Sequence, residues 1–118
     1  MPKVIIVNEG EWGMLSSKRG DYNSWVKIIQ RRVSESAEVV TVGSLDDAIP
    51  IIEEIEVAGI IFISRSMIEE ARQIKRSNPT IRVILLTGLL DWNEDSGVIV
   101  IDKSDTETIV RELSFASV

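Results

Sequence analysis

An α/β fold with a doubly wound, five-stranded parallel sheet is what this sequence predicts, on three observations. Five apolar runs punctuate the chain: VIIVN (4–8), EVVTV (38–42), IIFIS (60–64), VILLT (83–87) and VIVID (98–102). They are rich in Val, Ile and Leu with little alternation, which suits strands buried on both faces of a parallel sheet. Helical patterns separate them, and strands alternating with helices build three layers. The runs close on polar residues, and in such sheets ligands and chemistry gather beyond the carboxyl ends of the strands. Asn8, Glu9, Ser64, Thr87 and Lys103 therefore form the candidate site.

The elements follow in order. After the first strand comes an irregular stretch, 10–20, with glycines at 10, 13 and 20. A helix fits 24–33, where Trp25, Ile28, Ile29 and Val33 recur at three- and four-residue spacing and Asp21 or Asn23 can cap it. Strand two leads to a helix over 46–55 that contains Pro50. Proline inside a helix removes a hydrogen bond and clashes with the preceding turn, so a start at Asp47, later than Ser44 suggests, puts Pro50 in the first turn. Strand three leads into Ser66-Met67-Ile68-Glu69, a capping-box spacing that starts a helix running to Ser77. Asn78-Pro79 ends it, because the residue before proline disfavours helical geometry. Strand five precedes a final helix over 105–113, with Ser104 and Glu107 again at capping-box spacing. The tail 114–118 has no pattern and is expected to fray. No repeat or linker divides the chain, so 1–118 is read as one domain, and the sequence leaves open whether a longer polypeptide contains it.

Composition excludes several kinds of chemistry. With neither cysteine nor histidine, the chain offers no disulfide, no thiolate zinc site and no imidazole base. A net charge of −6 argues against nucleic acid, whose phosphates need clustered Lys and Arg. No apolar stretch reaches the ~20 residues that span a bilayer, and no signal peptide is visible, so a cytoplasmic location without membrane contact is expected.

ARQIKRSNPTIRVILLTG (71–88) resembles the passage from the third helix to the fourth strand of the receiver domains of two-component response regulators. VIIVNE (4–9) is similar to their first strand with its acidic pair, and VIVIDKS (98–104) to their fifth strand with its lysine. The resemblance covers nearly the whole chain, though each motif is short. It implies a flavodoxin-like sheet in the order 2-1-3-4-5. Between strands four and five only the nine residues 88–96 are left. Nine extended residues reach ~30 Å against the ~17 Å needed to return along a strand, so a parallel crossover is possible but helix four must be shortened or absent. An antiparallel fifth strand is the alternative.

In such domains the carboxylate ending strand three accepts a phosphoryl group, with Mg²⁺ held by that residue and the acidic pair. The lysine steadies the phosphate, and the Thr or Ser ending strand four hydrogen-bonds it. By position this chain keeps Glu9, Thr87 and Lys103, with Asn8 in the acidic pair and Ser64 as the acceptor. A serine hydroxyl without a base is a poor nucleophile, and it brings no anionic oxygen to Mg²⁺. The usual Met-Pro turn after strand three is missing, Ser104 replaces the proline after the lysine, and Val100 replaces the switching aromatic. The resemblance is thus to a pseudo-receiver, with no catalysis, no metal and no cofactor, which works by contacts. The contact face it implies is strand five with the final helix, for a protein partner or self-association. Leu89, Leu90 and Trp92, ringed by Asp91, Asn93, Glu94 and Asp95, either cover the sheet where helix four is missing or form an exposed anchor beside Val100. A flavodoxin-like small-molecule or flavin site is the other reading, with Trp12 and Trp92 on loops at the carboxyl edge. Against it, no Ser/Thr-rich phosphate loop follows strand one.

Overall fold

A computed structural model of the chain describes residues 3–8, 26–87, 96–102 and 105–113. Its sheet has five strands: β1 (Lys3–Val7), β2 (Glu38–Val42), β3 (Gly59–Phe62), β4 (Arg82–Thr87) and β5 (Ile99–Asp102). They lie in the order β2-β1-β3-β4-β5. Every pairing is parallel, β4 with β5 included, which removes the antiparallel alternative. The order and direction are those of a flavodoxin-like fold. The stretch 88–95, on which the shortened helix four was expected, lies outside the described residues.

Strand alternation feeds two cores. Val4, Ile6, Ile61, Ile84, Leu86 and Ile101 face one side, against Ile29 and Val33 of helix α1 (26–34) and Ile109 of helix α4 (Thr106–Glu112). Ile5, Val7, Ile60, Phe62, Val83 and Leu85 face the other, against Ala48 of helix α2 (Leu45–Glu54) and Ala71 and Ile74 of helix α3 (Ile68–Ser77). A strand buried on both faces has no polar face to alternate with, hence the unbroken apolar runs.

The helices differ from the sequence reading in four ways. In α1 the core positions are Val26, Ile29 and Val33, while Ile28 is 52% exposed; 21–25, with Trp25 and both proposed caps, fall outside the described residues. α2 starts early. Ser44 is its N-cap, its side chain accepting from the Asp47 N–H at 3.2 Å, so Pro50 sits in the sixth helical position. The missing N–H is tolerated because Asp46 and Pro50 are exposed, where water can serve the freed carbonyl. The Ser66 capping box does not form. A 3-10 turn (Arg65–Met67) comes first, and α3 begins without a side-chain cap. Finally, the cap of α4 is Asp105, whose carboxylate accepts from the Thr108 N–H at 3.2 Å and from its hydroxyl at 2.6 Å. Asn78 ends α3 as expected, its N–H and side-chain amide both donating to the Ile74 carbonyl.

Candidate functional site at the carboxyl edge of the sheet

Parallel strands bring their carboxyl ends to one edge of the sheet. Asn8 follows β1 there, half-buried, and its N–H extends the ladder by donating to the Val42 carbonyl at 2.8 Å. Thr87 closes β4 directly opposite Asp102, the last residue of β5. β3 pairs only as far as Phe62, so Ser64 stands two residues past the strand and not at its end. Continuing the Phe62–Leu85 register by two residues sets Ser64 level with Thr87. Ser64, Thr87 and Asp102 thus make one row, with Ser64 beyond the end of β3 and Thr87 and Asp102 closing β4 and β5.

Burial marks this row. Among the described residues, Ser64 and Thr87 are the buried polar ones, at 5% and 3% exposure. A buried hydroxyl without a partner is costly, so its partners matter. The Ser64 hydroxyl shares a 2.7 Å hydrogen bond with the Ser66 hydroxyl and accepts from the Ser66 N–H at 3.3 Å. Its carbonyl accepts from the Met67 N–H at 3.0 Å, closing the 3-10 turn. Ser64 therefore holds the chain as it turns from β3 into α3. Its hydroxyl is committed to that turn, and the sequence supplies no imidazole to activate it. Two hydroxyls and one carboxylate in a row can donate and accept hydrogen bonds. They lack the paired carboxylates that would hold a hard cation at an acceptor position. Among the described residues no three Asp or Glu side chains converge.

Of the predicted site residues, Asn8, Ser64 and Thr87 come to this edge, while Glu9 and Lys103 lie outside the described residues. So do Leu89, Leu90 and Trp92 of the expected contact face. Val100 lies in β5 beside Leu85, half-buried and packed against the core under α2 and α3. Asp102 is a site residue that the sequence reading does not single out, and its place as the last letter of the fifth apolar run is the signal for it. The spacing of Ser66 predicts a helix cap; only the fold shows that a hydroxyl two residues earlier claims it. No helix among the described residues is long and apolar enough to cross a membrane. Against models of known families, curated proteins and solved structures, the chain shows no match.

Proposed function

We propose that this chain is a phosphorylation-independent pseudo-receiver, a cytoplasmic signalling or regulatory module that works through protein contacts and carries out no reaction of its own. One observation carries the reading. At the position where the resemblance calls for a phosphoacceptor carboxylate stands Ser64, buried, with its hydroxyl bound to Ser66. The flavodoxin-like order of the sheet supports the same reading, and so does the half-buried Val100 where a receiver carries its mobile aromatic.

The partner-binding face is β5 and α4, with Leu89, Leu90 and Trp92 from the segment before β5. β5 is an edge strand of the sheet, pairing with β4 alone among the described residues. Trp92→Ala against Asp91→Ala tests the face, with capture from the native cell and sedimentation as the two readouts. Truncating an aromatic anchor typically costs about 2 kcal/mol or more of binding, a rim acid much less. Trp92→Ala is expected to abolish capture or self-association with the circular dichroism unchanged, and Asp91→Ala to leave both intact. If Trp92→Ala unfolds the protein and its folded fraction still binds, the residue is a core plug and the face is wrong.

A further inference from the structure

We infer that the opposite edge of the sheet, β2 with α2 beside it, is a docking edge for a basic, extended polypeptide segment that adds as a further strand. Among the described residues β2 pairs with β1 alone. Residues of a parallel strand turn their amides alternately to one neighbour and the other. The Asn8 N–H bonded to the Val42 carbonyl fixes the phase: Val40 and Val42 turn toward β1. Val39 and Thr41 then turn their N–H and C=O groups outward. The strand EVVTV holds no Pro or Lys, the residues that usually blunt an open edge. It offers backbone hydrogen bonds to any strand that can approach.

Charge decides which strand that is. Residues 33–64 contain seven Asp and Glu and no Lys or Arg, so the rest of the chain, with thirteen basic against twelve acidic residues, is nearly neutral. The whole negative excess therefore sits on β2, α2 and their connections. Asp46, Asp47, Glu53 and Glu54 of α2 are exposed, as is Ile49. Among the described residues, the ion pairs Lys3–Glu38, Arg32–Glu35, Arg32–Glu107, Arg72–Glu69 and Arg82–Glu112 leave the carboxylates of α2 out. A second copy could match the edge geometrically, pairing antiparallel about Val40, but it would press two such acidic flanks together. Like charges across an interface reject a partner, and opposite charges steer one in. The open backbone supplies affinity, as in strand addition generally, and the acids select Lys- or Arg-bearing segments.

The test titrates the full chain with a short synthetic peptide alternating lysine and valine, read by amide NMR. Saturable shifts at Val39 and Thr41 are expected, weakened about tenfold or more in Glu38→Gln/Asp46→Asn/Asp47→Asn. Thr41→Pro, which removes an outward N–H that β1 does not use, is expected to abolish the shift at Val39, the outward amide that remains to be read. If that variant fails to fold, the neutralised triple variant carries the test alone. Three results would overturn the inference: shifts confined to α2 with none at Val39 and Thr41, equal binding of a glutamate–valine peptide, or dimerisation of the free chain through β2.

Discussion

Ser64 accepts a backbone N–H and shares a hydroxyl bond at the turn into α3, so removing its oxygen takes both bonds from the turn and leaves the groups of exposed Ser66 to water. Ser64→Ala is expected to cost about 1 kcal/mol in a urea titration. No change would mean that the turn holds without it. Asp105 gives a different signature. The Thr108 hydroxyl and N–H, with Arg111 adding attraction, hold its carboxyl below the usual carboxylate range. A carboxyl lowered by folding stabilises above its unfolded-state pKa, and that contribution is lost as pH falls through the folded value. The Tm of the wild type should therefore fall more on acidification than that of Asp105→Asn, and by a small, salt-sensitive amount because the group is fully exposed. At this scale the sequence was only partly legible. The polar ends of β4 and β5 could be read directly, whereas β1, β2 and β3 end on Val7, Val42 and Phe62. Which hydroxyl caps what could not, because Ser66–Glu69 and Ser104–Glu107 satisfy a spacing that local competitors override. Ser64 claims Ser66, Glu69 pairs with Arg72 at 2.7 Å, and the carboxylate of Asp105 caps α4.

Elements were legible where periodicity was strong and less so at their ends. α2 was expected to begin late to spare Pro50, yet the Ser44 cap and the exposure of its first turn let the helix start before the proline. Pro50→Ala, which restores an N–H for the Asp46 carbonyl, is expected to stabilise the protein by about 1–3 kcal/mol. A loss of stability would show that the proline ring packs or restricts the unfolded chain more than it disrupts. Gly59 opens β3 because α4 ends against it: a Cβ there would stand 2.7 Å from Cδ2 of the buried Leu113. Gly59→Ala should cost about 1–3 kcal/mol, since the buried Leu113 side chain must shift to admit the methyl. Nothing local in the sequence announces that contact, which joins two elements far apart in the chain.

Across the whole molecule, the layers were legible because strands covered on both faces must be apolar throughout. The exposure of Ile28 was not, since helical spacing alone cannot choose between a stripe through Ile28 and one through Val26, Ile29 and Val33. The strand order followed from the receiver resemblance, and the sheet adopts it. What makes a receiver a switch is the site at the carboxyl edge, and where the proposed pseudo-receiver reading expects an acceptor carboxylate a buried serine holds a turn. The central claim is that this site takes no phosphoryl group. Titrating the full chain with beryllofluoride and Mg²⁺, and following its amides by NMR, tests that claim most directly. The account predicts an unchanged spectrum at Asn8, Ser64 and Thr87; saturable shifts clustered at those three residues would contradict it.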